Sequence, residues 1–206
     1  MKDIILLPTY NEKATIAQLI DEIFYFVPSA YIVVVDDNSP DGTAGVVREL
    51  MLQRPQLSLI NRAKKEGLGA AYKYALSHLA LDSNIRSITT MDADGSHQPK
   101  YLPEFLKQIE KYDLIVGSRY IRGGGVEGWE RWRLLLSQGG NIYSRLLTGL
   151  PIRDQTAGFV CFRHQLIKKM DFLKISSAGY AYQIEFKFYC LSTLQASYLE
   201  VPIIFN

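Results

Sequence analysis

The chain has 206 residues, 48% hydrophobic and 21% charged, with a formal net charge of +2. That is long and apolar enough to bury one full core. The balanced charge gives no field suited to a nucleic-acid partner, and no apolar run approaches the roughly 20 residues of a transmembrane helix.

Ile4–Leu7 is fully apolar, as a strand buried on both faces should be, and Pro8-Thr9-Tyr10-Asn11-Glu12 ends it. Ile16, Leu19, Ile20, Ile23, Phe24 and Val27 then recur on one face of a predicted helix. Tyr31–Val35 is a second buried strand, followed by the turn cluster Asp36–Thr43 and a helix carrying Val46, Val47, Leu50 and Met51. Leu57–Ile60 is the third strand; after Glu66-Gly67-Leu68-Gly69 a helix runs through Ala71, Ala75 and Leu79. The fourth strand ends at Met91, a helix holds Leu102, Phe105, Leu106 and Ile109, and Leu114–Gly117 is the fifth strand.

Past Ser118, Gly123-Gly124-Gly125 reads as a flexible loop beside Trp129 and Trp132. A helix over about 132–147 is expected, with Leu134, Leu135, Ile142 and Leu146 on its apolar side. Thr156–Phe162 reads as a strand, Tyr180–Leu191 as a helix and Ser197–Val201 as a last strand. Cys161 and Cys190 have no metal or C-x-x-C spacing and are expected as reduced core thiols of a cytoplasmic protein. Met1–Leu7 is too short for a signal peptide.

Strands alternating with helices predict an α/β fold with a mainly parallel sheet. Ligands in such sheets bind beyond the carboxyl ends of the strands. Three polar clusters fall there: Pro8–Glu12, Asp36–Asp41 and Asp92–Ser96. Asp92 and Asp94, one residue apart where a strand gives way to a loop, suit a hard divalent cation completed by phosphate oxygens. The plain alternative for this pair is helix capping. From Arg119 to Arg163 the basic residues other than His are all arginine, the side chain suited to bidentate phosphate recognition. The first strand lacks Gly-x-Gly-x-x-Gly, and no Gly-x-x-x-x-Gly-Lys-Ser/Thr occurs, which argues against a dinucleotide dehydrogenase and a P-loop NTPase. Asp92–Ser96 echoes the Asp-x-Asp-x-Thr/Ser of haloacid-dehalogenase-like phosphatases, but it follows the fourth strand, not the first, and no paired acids come after it.

Pro8–Glu12, Val34–Thr43, Lys65–Ala71, Met91–Asp94, Gly117–Tyr120 and Thr156–Phe159 follow one another as in family 2 glycosyltransferases, and the whole chain resembles their dolichol-phosphate or polyprenol-phosphate mannosyltransferase catalytic domains. The resemblance implies a GT-A fold, a Rossmann-like αβα sandwich in a single domain, with 1–118 binding the nucleotide sugar and 119–206 the acceptor. It implies inverting transfer of mannose from GDP-mannose to a polyprenyl (dolichyl) phosphate, with Mg²⁺ or Mn²⁺. Another donor such as UDP-glucose, or nucleotide-sugar binding without turnover, are the alternatives. By position the resemblance places Pro8, Tyr10, Glu12, Val35 and Asp37 around the nucleotide, and Asp92, Ala93 and Arg119 along the sugar nucleotide. Asp94, Asp92 and Ser96 are the implied metal ligands, with Asp92 and Asp94 also able to assist catalysis; Arg119 and Arg133 hold the donor and acceptor phosphates. Gly123–Gly128 resembles a mobile loop near the acceptor. The expected setting is peripheral, at the cytosolic face of a membrane. Such chains continue into an Arg-x-x-Gly-x-Ser-Lys segment, and some into transmembrane helices or toward an anchoring subunit, whereas this sequence stops at Asn206.

Overall fold

The computed structural model describes residues 1–177 and 179–206. A central seven-stranded sheet contains β1 (Lys2–Thr9), β2 (Tyr31–Asp36), β3 (Leu57–Asn61), β4 (Ile85–Thr90), β5 (Leu114–Ser118), β7 (Val160–Arg163) and β8 (Tyr198–Pro202). Their order is β3-β2-β1-β4-β7-β5-β8, and only β7 runs antiparallel to its neighbours. The mainly parallel sheet expected from the strand–helix alternation is therefore present.

The apolar runs are continuous because both sheet faces are covered. Ile4 and Leu6 of β1 join one buried layer with Ala71, Tyr72 and Ala75 of α3 (Leu68–Leu79) and with Tyr182 and Phe186 of α7 (Tyr180–Phe188). Ile5 and Leu7 point the other way. They pack with Ile16, Leu19, Ile20 and Ile23 of α1 (Ile16–Phe26), Val47 of α2 (Thr43–Met51), and Leu102 and Phe105 of α4 (Leu102–Gln108). Cys161 and Cys190 are free, buried thiols, as expected, and burial pushes both up to about 12.

The chain lays down β1, β2 and β3 in one direction and then returns to place β4 on the far side of β1. This reversal opens a crevice between the loops that follow β1 and β4, where open α/β sheets bind ligands. Pro8–Glu12 and Asp92–Ser96 flank it.

Two expectations are corrected. Thr156–Phe159 is not strand: β7 begins at Val160, and the preceding residues form an irregular segment against the crevice. The glycine loop is partly ordered as β6 (Gly125–Val126), paired in parallel with β9 (Ile204–Phe205). Gly124 is required there, since a Cβ would sit 2.4 Å from the Ser118 carbonyl oxygen.

The expected helix is α5 (Arg131–Thr148). Its apolar side faces outward: Leu135, Ile142 and Leu146 are 68%, 58% and 79% exposed, and Trp132, Leu136, Tyr143 and Leu147 are exposed with them. The helix turns its polar side inward instead, burying Asn141 and Ser144. It does so because an irregular segment lies beneath it and needs hydrogen-bond partners. Asn141 Oδ1 accepts from the amides of Gln155 at 2.7 Å and Thr156 at 3.3 Å, and the Ser144 hydroxyl bonds Gln155.

Candidate active site

Two cavities meet at the acidic pair. The first, about 260 Å³, is walled by Pro8, Tyr10, Glu12, Asp37, Lys65 and Ala93, among others, and by Asp92 and Asp94. The second, about 590 Å³, is again walled by Asp92 and Asp94, now facing Arg119, Trp129, Arg133, Thr156 and Gly158. Ten of the eleven residues expected to bind donor, acceptor or metal line one or both, Ser96 lying in the wall of the second cavity. Val35 is the exception among the described residues: its side chain is buried in the apolar layer under α3.

The loop after β4 is fixed by its own side chains. Asp94 Oδ1 accepts from the amide of Ser96 at 3.0 Å and from its hydroxyl at 2.6 Å, so Ser96 orients the carboxylate. The Asp92 amide donates to Nδ1 of His97 at 2.8 Å. That bond requires an unprotonated Nδ1, so the neutral ring carries its proton on Nε2. Burial lowers the His97 pKa, and the ring stacks on Phe159 at 5.0 Å between centroids. Gly158 lies against Asp92, where a Cβ would come within ordinary contact of the carboxylate, 3.4 Å from Oδ2.

On the nucleotide side, Asp36 is structural: its carboxylate accepts from the hydroxyls of Thr9 and Ser39 and from the Ser39 amide. Asp37 faces the cavity and pairs with the buried Arg62 at 2.7 Å. Lys65 lies over the Tyr10 ring, 3.6 Å from its centroid. Glu12 has a raised pKa, chiefly from burial, against which the Thr15 hydrogen bond works; Asp94, Asp41 and Asp92 raise it further. The first cavity therefore carries concentrated negative charge, which a bound cation would relieve.

The donor set fits such an ion. Asp92 is partly exposed and Asp94 exposed, and both offer the hard oxygens that Mg²⁺ or Mn²⁺ takes. Among the described residues no third His, Cys, Asp or Glu completes a protein-only cluster. Substrate oxygens and water would supply the remaining positions, as is usual for these ions at phosphate sites.

On the other side Arg119 is gripped by Asp154, through its Nε at 2.7 Å, its Nη2 at 2.7 Å and its backbone amide at 3.0 Å, and Nη2 also reaches Thr156 Oγ1 at 2.9 Å. Arg133 is exposed and lies over the Trp129 ring at 4.3 Å. Lys65, His97, Trp129, Asp154 and Thr156 were not singled out by sequence reasoning as site residues. Lys65 and Thr156 lie inside quoted motifs, and His97 lies three residues past Asp94, which is signal enough to have found them. Asp154 stood alone in the sequence, and only the fold brings it to Arg119.

Residues 4–171 match the family described as Glycosyl transferase family 2. Over its whole length the chain is 38% identical to the polyprenol monophosphomannose synthase of Mycolicibacterium smegmatis, covering 77% of that protein. It is 35% identical to the undecaprenyl-phosphate mannosyltransferase of Micrococcus luteus, covering 84% of it. In fold, 98% of the chain superposes on 68% of glucosyl-3-phosphoglycerate synthase from Mycobacterium tuberculosis, solved with Mn²⁺, UDP and phosphoglyceric acid, with a TM-score of 0.67 at 18% identity. The chain belongs to glycosyl transferase family 2 and is a glycosyltransferase, with polyprenol-phosphate mannosyltransferases among its relatives.

Proposed function

We propose that this enzyme transfers mannose from GDP-mannose to a polyprenyl phosphate, with inversion at the sugar and with Mg²⁺ or Mn²⁺ held by Asp92 and Asp94. The observation that carries the reading is the acidic pair shared by two cavities, one acidic and the other bearing Arg119 and Arg133. A diphosphate bridging that pair would point its sugar at an anion held by the arginines. The names of the two curated relatives supply the sugar and the lipid class.

In this reading 1–118 binds the donor: Pro8, Tyr10, Glu12 and Asp37 surround the nucleotide, with Lys65 beside them. Residues 119–206 bind the acceptor. A phosphate monoester is ionised at neutral pH, so its oxygen attacks the sugar carbon without a strong base; the carbon–oxygen bond to the diphosphate breaks, and the nucleoside diphosphate leaves. Arg119 and Arg133 hold the two anions close and aligned, work of positioning and electrostatics. A bound divalent ion would neutralise charge on the departing diphosphate. Ser96 serves by orienting Asp94.

The exposed apolar side of α5 supports a lipid acceptor. The helix contributes Arg133, Leu136, Ser137 and Gly140 to the second cavity and carries its exposed leucines past that opening, with Arg131 and Arg145 on the same helix. Amphipathic helices with basic residues lie in membrane interfaces. Among the described residues no helix is long and apolar enough to cross a membrane. We therefore place the enzyme peripherally, at the cytosolic face.

A thermal-shift panel of GDP, UDP and their sugars, with and without Mn²⁺, followed by transfer of labelled mannose to polyprenyl phosphate vesicles, tests the reading. GDP-selective, Mn²⁺-dependent shifts and a labelled lipid product are expected. UDP-selective shifts would overturn the donor, and a flat panel without product would overturn turnover altogether.

A further inference from the structure

Lys187 sits in the last turn of α7 and is completely buried. Its ammonium donates to the carbonyl oxygens of Ala157 at 2.7 Å, Gln155 at 3.1 Å and Gln183 at 3.2 Å. Three carbonyl acceptors thus surround Nζ, two of them on the irregular segment that walls the second cavity. A packing demand alone would be met by Met or Leu, without burying an ammonium. What lysine adds is donation to that segment.

Residues 154–158 have no ladder or helix to satisfy their backbone, which buried polar groups need. Four elements do much of it with side chains, one of them β4, whose Thr90 hydroxyl donates to the Gly158 carbonyl oxygen at 2.8 Å. Asn141 of α5 takes the amides of Gln155 and Thr156, and Glu200 of β8 takes those of Arg153 at 3.0 Å and Asp154 at 3.1 Å. Lys187 of α7 takes the carbonyls of Gln155 and Ala157. The segment so held presents Asp154 and Thr156 to Arg119, and Gly158 to Asp92.

We infer that Lys187 is a positioning residue for the acceptor side of the site, fixing the Gln155 and Ala157 carbonyls and through them the Asp154–Arg119 pair. The inference deepens the function proposed above and rests on it for the identity of the acceptor. It does not extend to the nucleotide cavity, whose walls come from other loops.

The test compares wild type with Lys187→Met, which keeps the stem and removes the donors, and with Lys187→Gln, which keeps a shorter donor. The first readout is the Arg119 Nε–H resonance, assigned by its loss in Arg119→Lys. The second is steady-state kinetics with GDP-mannose and polyprenyl phosphate. The resonance is expected to shift or broaden in Lys187→Met and to return part of the way in Lys187→Gln. Acceptor kcat/KM should fall roughly 10- to 100-fold in Lys187→Met, the range for displaced supporting groups, with GDP affinity within about twofold of wild type. An unmoved resonance in the folded Met variant would overturn the inference. So would unchanged acceptor kcat/KM beside a moved resonance, or loss of the fold in both variants, which would make Lys187 a folding residue only. If wild type itself gives no lipid product, the proposed function fails while the resonance still decides the role of Lys187.

Discussion

Asp94 owes its orientation to a two-residue turn in which the amide and hydroxyl of Ser96 both close on Oδ1. The carboxylate is therefore aimed before any ligand arrives, while its exposure keeps it outside the core. Asp94→Ala is expected to weaken Mn²⁺-dependent GDP binding by about 100-fold or more, about 2.7 kcal/mol. The melting temperature should stay within about 2 °C, as for surface substitutions generally. Calorimetry with and without Mn²⁺ decides: unchanged GDP affinity in the variant would remove Asp94 from the site. Arg133, over Trp129 in the second cavity, should separate the two substrates. Arg133→Ala is expected to raise acceptor KM about tenfold, about 1.4 kcal/mol, and to leave GDP affinity alone; an equal loss on the donor side would sink its acceptor role. At this scale the sequence was informative where chemistry sits in a local motif, as at Asp92, Asp94 and Glu12. It was silent on Asp154 and Lys187, whose partners Arg119 and Ala157 lie 30 or more residues away and become partners only through the fold.

At the scale of elements, the buried strands were legible because parallel strands covered on both faces must be apolar throughout. Helix α5 was legible as a helix but not in its orientation. Period 3.6 tells which side chains share a face, and nothing in the pattern says whether that face meets the core or something outside it. Here Asn141 and Ser144 are recruited by the segment before β7, and the leucines are left outward. Large exposed apolar patches mark interaction surfaces, and the proposed lipid acceptor would make a bilayer the fitting partner. The triple variant Leu135→Ser, Ile142→Ser, Leu146→Ser should melt near the wild-type temperature, since these side chains are mostly exposed. Its partition onto anionic vesicles should fall roughly 100-fold or more, given about 1.5 kcal/mol for each large side chain withdrawn from water. Vesicle flotation reads this directly. If the variant floats like wild type, or if wild type is a dimer that the substitutions split, the membrane role of α5 is wrong.

The molecule as a whole carries the consequences of its buried titratable groups in how stability responds to pH. Burial lowers Lys187 from 10.5 to about 7, despite the opposing pull of Asp154, Cys190 and Glu200 and with a further push from Arg119. Below about pH 7 the native and unfolded chains both hold this proton, and burial of the charge opposes folding. Between about 7 and 10.5 the native state releases the proton while the unfolded chain keeps it, so stability from this group rises with pH. His97, also lowered by burial, acts in the same sense in acid: its contribution is lost as pH falls below 6.5 and the unfolded imidazole gains a proton that the native ring resists. The two thiols act oppositely. Cys161 and Cys190 are raised from 9.0 to about 12, so their contribution is complete below about pH 9 and is lost as pH climbs toward 12. The lysine limb therefore rises from about pH 7, and the thiol limbs oppose it from about pH 9. Lys187→Met removes the lysine limb alone. The difference in melting temperature, wild type minus variant, should therefore increase steadily from pH 6.5 to 8.5, with the variant favoured most at the acid end. A difference independent of pH over that interval would show that Lys187 does not change protonation on folding, and its ammonium would then be held at full charge by the carbonyls of Gln155, Ala157 and Gln183.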